Sequence, residues 1–384
     1  MKTVWIVGTG FVADLYMRSL ASFPDIRVAG AFDRVVENRT RFSAHWRVAV
    51  TTTLEELLAQ AGPQDLILNL TNPDAHFEIS AACLEAGHHV YSEKPLAMSM
   101  EEARILHDLA RTRGLHLASA PCSVLGEAAQ TLWRAVREAR IGRPLLVYAE
   151  LDDGFISQAP YRDWKSESGA PWPFEDEFRV GCTMEHAGYY LTWLIAILGP
   201  VRRVVAASAE LDRHKLPGAD RAAPDSSVAV LFFDNGVMAR LTCSILARHD
   251  HSIRIFGDTG TLEVAECWNN DAPVRLRQRH RLRRRLIELP WTRRIRLPGP
   301  THPKVPRRGA AAMNFALGPA EVLAAIEERR ESRLSADFAL HLNEVTLAIQ
   351  RSGARSGAIE MTTTCAPIEP MPWAADNPPA RGRG

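Results

Sequence analysis

The stretch that most constrains this chain is Val4-Trp5-Ile6-Val7-Gly8-Thr9-Gly10-Phe11-Val12-Ala13-Asp14-Leu15-Tyr16. Its leading apolar residues read as a short buried strand, and Val12, Leu15, Tyr16 and Leu20, at helical spacing, read as the helix that follows. Between the two lies Gly8-x-Gly10-x-x-Ala13. Gly8 permits a tight turn and Gly10 lets a pyrophosphate approach the backbone. Free N–H groups at the start of the helix, around Phe11 and Val12, meet the charge. Ala13 is small enough for helix and strand to pack closely.

Any tight strand-to-helix connection favours glycine, so the motif takes its meaning from what comes next. A second apolar run, residues 26–32, closes on Asp33, at the separation expected of the acid that holds an adenosine ribose. Asp33 would accept from both ribose hydroxyls and repel a 2′-phosphate, which favours NAD. Arg34 beside it keeps NADP open, because a guanidinium either pairs with that phosphate or lies along the adenine.

At 384 residues the chain exceeds one ordinary core and suggests two domains. A formal net charge of +1 gives no pull toward nucleic acid or a membrane surface. No apolar run is long enough to span a bilayer, and the first strand begins almost at Met1, so the expected location is cytoplasmic. The cysteines are scattered without a Cys-x-x-Cys pair, which points to reduced thiols rather than a disulfide framework or zinc cluster.

Through residue 122 strands and helices alternate, as in a parallel sheet covered on both faces. The expected elements include a short strand near Val48 and a helix opened by a Thr53/Glu56 capping box. Residues 123–365 change character: longer alternating strands and the turns Asp234-Asn235-Gly236 and Gly257-Asp258-Thr259-Gly260 indicate hairpins in a mostly antiparallel sheet. One strongly apolar helix, residues 185–198, sits among them. Residues 366–384, rich in Pro, Gly and Arg, read as a disordered tail. The arginine-rich stretch 275–308 reads as a solvated face or mobile loop, with a phosphorylated ligand or acidic partner as the second reading; no nucleic-acid module is recognisable in it.

Two short segments carry the chemistry. Thr71-Asn72-Pro73 breaks a strand on the edge that faces a bound cofactor. Glu93-Lys94-Pro95 ends the next strand on the same edge, where an ammonium beside an oxidised nicotinamide has a lowered pKa and exchanges a proton with a substrate oxygen. A plain surface lysine is the other reading. With Gly8-x-Gly10, Thr71-Asn72-Pro73 and Glu93-Lys94-Pro95 in this order, the chain resembles the glucose-fructose oxidoreductase/inositol dehydrogenase/MocA family over roughly residues 1–350.

The resemblance implies an N-terminal Rossmann domain and a C-terminal α+β domain with a large open sheet. One face of that sheet would cover the nicotinamide and mediate a homodimer or homotetramer. It also implies that Lys94 lies beside the substrate, Glu93 shapes the nicotinamide site, Asn72 and Pro73 approach its ribose, and His76 belongs to the same set. Residues 181–191 look like the family's glycine-rich lead-in followed by Asp-x-Gly-x-His, with departures at Glu185, Ala187 and Tyr189. Glu185 and Tyr189 are four residues apart and share a helix face toward Lys94. A phenol whose pKa is lowered by that cation exchanges protons in place of the histidine.

His186 is an alternative acid/base, though it points about a quarter-turn away, and a core or supporting histidine on the substrate side is the favoured reading. His249-Asp250-His251 supplies too few ligands for a metal, and none is expected. Residues 152–179 form a long aromatic loop in which Tyr161, Arg162 and Trp164 are the expected contacts to a sugar ring or polyol; a hydrophobic lid or dimer contact is the alternative. The function that follows is an NAD(P)-dependent interconversion of a secondary alcohol and a ketone on a sugar, nucleotide sugar or cyclitol. The competing readings are an imine or non-sugar diol oxidoreductase, and a non-catalytic NAD-binding sensor or scaffold.

Overall fold

A computed structural model of the chain describes residues 1–216, 223–307, 309–354 and 357–375. These form two sheets. The first holds β1 (Lys2–Val7), β2 (Ile26–Phe32), β3 (Leu66–Asn69), β4 (His89–Ser92) and β5 (Leu117–Ser119), all parallel, in the order β2-β1-β3-β4-β5. Helices α1 (Phe11–Leu20), α2 (Val36–Trp46), α3 (Leu54–Gln60), α4 (His76–Glu85) and α5 (Met100–Arg113) connect them. The strand expected near Val48 is only a single bridge, Ala31 to Val50. Strands β3, β4 and β5 are buried at every position, as sheets covered on both faces require.

The register of this sheet positions the site. Val7 lies opposite Phe32 on one side and Asn69 on the other, and Asn69 opposite Ser92. The residues that follow, Gly8, Asp33, Leu70 and Glu93, therefore stand in a row along the carboxyl edge. Segments 23 to 85 residues apart in sequence thus meet at one edge because parallel pairing repeats the same register across the sheet.

Helix α6 (Glu127–Arg137) leads into the second sheet. Its strands are β6 (Pro144–Asp152), β7 (Val201–Ala209), β8 (Ser226–Phe233), β9 (Met238–Ser244), β10 (Ile253–Gly257), β11 (Gly260–Val264), β12 (Val274–Leu282), β13 (Arg285–Glu288), β14 (Arg293–Ile295) and β15 (Ile359–Glu360). The main path runs β13-β12-β11-β10-β6-β9-β8-β7-β15, with β14 on β12. Among the described residues β6 and β9 pair in parallel and the other neighbours antiparallel.

The β6-to-β9 connection contains α7 (Phe174–Val180), α8 (Cys182–His186) and α9 (Gly188–Leu198). Helix α9 is buried on nearly every side, which explains why its sequence lacks a polar face. The expected single helix 185–198 is broken at Ala187. Gly188 meets the first domain so closely that an added Cβ would lie 2.9 Å from the Pro121 ring.

The basic stretch is a set of edge strands rather than a loop: β12, β13 and β14 hold Arg275–Ile295, with Leu282, Leu286 and Trp291 exposed. Arg308 lies outside the described residues. Two late helices, α10 (Leu317–Glu328) and α11 (Ala336–Gln350), return to the first domain. Gly318 of α10 sits against the Tyr91 ring, and Asn343 Oδ1 of α11 accepts from the Ala97 amide at 3.3 Å. The expected disorder after residue 365 is corrected for 366–375. There the Met371 amide donates to Gln130 Oε1 at 2.9 Å, and the Ala374 carbonyl accepts from Arg137 at 2.8 Å. Residues 376–384 lie outside the described residues.

Candidate active site

The carboxyl edge of the first sheet and the second sheet with its buried helices enclose a cavity of about 910 Å³. Gly8, at φ +93°, makes the turn into it; a Cβ there would lie 2.6 Å from the Leu70 carbonyl carbon and oxygen. Gly10 has nothing within 4 Å of its Cβ position and lines the cavity with Phe11 and Val12. No side chain caps the start of α1, so its amides face the cavity free, as an anion requires.

Asp33 ties this turn together and does not itself line the cavity. Its Oδ2 accepts from the Thr9 amide at 2.8 Å and the Thr9 hydroxyl at 3.1 Å, and its Oδ1 from the Val35 amide at 2.9 Å. Arg34 is exposed and does not line the cavity, whereas Arg41 on α2 does and donates to Asn38 Oδ1 at 3.0 Å. The Nε atoms of Arg41 and of Arg18 on α1 are buried with no hydrogen-bond partner among the described residues, and both side chains face the cavity. Unsatisfied guanidinium donors beside a glycine turn and a ribose-type acid fit a dinucleotide with its phosphates. Nothing in the local sequence marks Arg18 or Arg41, since each is one arginine on an amphipathic helix.

Thr71, Asn72 and Pro73 line the middle of the cavity. His76, expected to touch the cofactor, lies behind it, fully buried. Its Nδ1 is 2.6 Å from the Pro95 carbonyl and its Nε2 2.9 Å from the Thr71 carbonyl. Burial pulls its pKa down against the pull of those two carbonyls. Its contribution is to clamp the Thr71 and Lys94 turns together.

Glu93 is held by the Tyr16 hydroxyl, which donates to Oε1 at 2.6 Å, and by the Lys94 amide, which donates to Oε2 at 3.0 Å. Lys94 Nζ forms an ion pair with Glu185 on α8. Glu185, His186 and Tyr189 all line the same cavity. One expectation, a lowered Tyr189 phenol, is reversed here. Burial would lower the Lys94 pKa, but the surrounding Glu185, Glu177 and Glu93 hold it well above the ordinary lysine value. Burial likewise raises the Tyr189 phenol, and the opposing effect of Lys94 is too small to reverse this. Both side chains therefore carry their protons.

The sequence reading missed Glu177 of α7, which lines the cavity. Burial, then the negative charge of Glu185 and a hydrogen bond to it, raise the Glu177 pKa well above the carboxylate range. His186 donates from Nδ1 to the Cys182 carbonyl at 3.0 Å and places Nε2 3.3 Å from Asp153 Oδ2.

Of the expected substrate contacts in the aromatic loop, Trp164 lines the cavity; Tyr161 and Arg162 do not. Tyr161 is 8% exposed, packed between Phe174 and Phe178 at 5.1 and 5.2 Å. Arg162 stacks over Phe174 at 4.9 Å. The aromatic spacing thus builds the loop's own core, and Trp164 and Trp172 supply the surface toward the cavity. The loop is fastened to α1 by the Ser168 amide, which donates to Asp14 at 2.6 Å.

A glycine turn and a lysine-centred polar cluster in one interdomain cavity, with a ribose-type acid tied to the back of the turn, define a nicotinamide-dinucleotide oxidoreductase. Residues 2–120 match the oxidoreductase family with an NAD-binding Rossmann fold, and residues 129–263 match the GFO/IDH/MocA C-terminal domain. The chain belongs to this Gfo/Idh/MocA family, whose N-terminal domain binds NAD.

Among its relatives, UDP-N-acetylglucosamine 3-dehydrogenase of Acidithiobacillus ferrooxidans is 28% identical over 145 residues, 38% of this chain and 44% of that one. The match thus spans less than half of that relative. Levoglucosan dehydrogenase in complex with NADH and levoglucosan superposes with a TM-score of 0.77 at 16% identity, covering 94% of this chain and 100% of that one. The WlbA dehydrogenase from Bordetella pertussis, in complex with NADH and UDP-GlcNAcA, gives 0.71 at 21% identity, covering 94% and 99%. At these identities the structural likeness is one of fold.

Proposed function

We propose that the chain interconverts a secondary alcohol and a ketone on a sugar, nucleotide sugar or cyclitol, using NAD. The observation that carries this reading is that Lys94, Glu185 and Tyr189 line the same cavity as the Gly10–Val12 turn. Bound nicotinamide supplies hydride transfer to or from the substrate carbon. Lys94 and Tyr189, both protonated, donate to the substrate oxygen; in the reduction direction one of them delivers its proton as the carbonyl becomes a hydroxyl. Glu185 holds the Lys94 ammonium in place through the ion pair, and Glu93 fixes the start of that turn. Trp164, Trp172 and Trp268 give the flat apolar walls on which a sugar ring stacks. The sugar substrates of several relatives support the substrate class.

The first test is a fluorescence titration with NADH and NADPH, repeated on Asp33→Ala, followed by a screen of sugars and nucleotide sugars with NAD. Tight NADH binding and NAD reduction by a member of the screen are expected. Binding of neither dinucleotide would overturn the reading. Assembly through the outer face of the second sheet fits its exposed Leu145, Val205, Val228 and Met238, and light scattering should return a dimer or tetramer. Six free, buried cysteines support a reducing, cytoplasmic location, which fractionation would check.

A further inference from the structure

Beside the cavity, the end of β6 meets the segment before β10 and the one after β11. Glu266 lies between two histidines: its Oε1 is 3.1 Å from His251 Nδ1, and its Oε2 3.1 Å from His249 Nε2. A carboxylate only accepts, so both of those ring nitrogens carry the proton. The opposite nitrogens, His251 Nε2 and His249 Nδ1, are the atoms of each ring that Glu266 leaves free for another partner. Both are directed at Asp153 Oδ1, at 3.6 and 3.9 Å. One carboxylate oxygen and two ring nitrogens thus converge, all within 4.8 Å of one another.

His251 is 1% exposed, and its Nε2 has no hydrogen-bond partner among the described residues. The rings of His249 and His251 lie 4.1 Å apart. The separations are too long for hydrogen bonds and close to the ligand-to-ligand edge of about 3.3 Å that bonds of about 2.0–2.1 Å to a tetrahedral zinc ion produce. A carboxylate that orients a metal-binding histidine through its other ring nitrogen is the arrangement Glu266 provides. Trp268 packs over His251 at 4.3 Å, and its amide holds Glu266 Oε1 at 2.9 Å.

We propose that Asp153, His249 and His251 bind a divalent transition-metal cation of the zinc type, oriented by Glu266. His249, half exposed, gives the ion access from solvent. Asp153 and His186 both line the cavity, with Asp153 Oδ2 turned toward His186 Nε2, so the ion sits in its wall. It also ties the end of β6 to the His249–His251 segment, so cavity shape and metal loading are linked.

The test uses the full chain stripped with a chelator and dialysed. Cobalt(II) is added while its visible d–d bands are recorded, zinc is used to displace it, and metal retained after gel filtration is measured by plasma mass spectrometry. One cobalt per chain, displaced by zinc, is expected. His249→Ala and Asp153→Asn should weaken binding at least about tenfold, and Glu266→Gln about 10–100-fold through loss of orientation. NADH titration of His249→Ala and thermal melts of all three variants report whether the fold survives. Absence of d–d bands together with absence of retained zinc, or undiminished binding in both ligand variants, would overturn the proposal and assign the cluster to an imidazolium–carboxylate pair. The readout needs no substrate and stands whatever the dehydrogenase assay returns.

Discussion

Lys94, at the end of a strand in the first sheet, and Glu185, on a helix beneath the second, form an ion pair across the domain interface. The two residues are 91 positions apart, and their pairing gives the cavity its chemistry. Lys94→Ala should lower kcat by about 10²-fold or more while changing NADH affinity less than about threefold, because the proposed mechanism places the lysine at the substrate oxygen rather than on the dinucleotide. Equal loss of both would remove Lys94 from the chemistry.

Glu177 has a folded-state pKa raised above its unfolded value, so its protonated form is favoured in the folded chain. The associated stability is fully present below the unfolded glutamate pKa and is lost as pH rises through the folded value. Glu177→Gln, which mimics the protonated form, should therefore lose less stability than wild type across that window. Denaturant melts at a series of pH values measure the difference, and parallel curves would contradict the raised pKa.

Gly8 and Gly10 should separate folding from binding. Gly8→Ala combines a φ of +93° with a 2.6 Å clash against backbone, and should cost about 1–3 kcal/mol or more, seen as a lower Tm. Gly10→Ala has open space around its new Cβ and should keep its Tm, while NADH affinity falls because the methyl occupies the approach to the turn.

Arg41→Ala should weaken NADH binding about 10-fold or more, as expected for a lost charge-assisted contact, and reduce its salt dependence. Arg34→Ala, exposed and away from the cavity, should leave it within about twofold. The reverse outcome in titrations at two salt concentrations would return the adenosine end to Arg34.

Trp164→Ala should raise the sugar KM several-fold, since it removes a cavity wall. Tyr161→Phe should leave KM unchanged, because its hydroxyl is 3.5 Å from the Lys215 carbonyl and away from the cavity. Steady-state kinetics on both variants distinguish them.

The strand-turn-helix at Gly8, the acid at Asp33 and the breakers at Thr71 and Lys94 were legible in order along the chain. Each is a local backbone requirement: a positive φ, a strand end, a free helix start. Parallel register then converts that order into a row along one edge. The second sheet was legible as hairpins, though its arginine-rich edge strands were not, because alternating Arg and Leu on a solvent-facing ribbon resemble a loop in composition.

What depended on tertiary structure was every property set by distance between segments. Lys94 carries a raised pKa because neighbouring carboxylates outweigh its burial, and Tyr189 because burial outweighs the effect of Lys94; both act through space, and spacing records neither. Arg41 rather than Arg34 lines the cavity, and Tyr161 turns inward, because packing decides which side of an element faces the cavity. Asp153 joins His249 and His251 only where β6 runs beside β10 in the folded sheet. Local stereochemistry is written along the chain, whereas electrostatics and coordination depend on which distant side chains the fold brings within a few ångströms of one another.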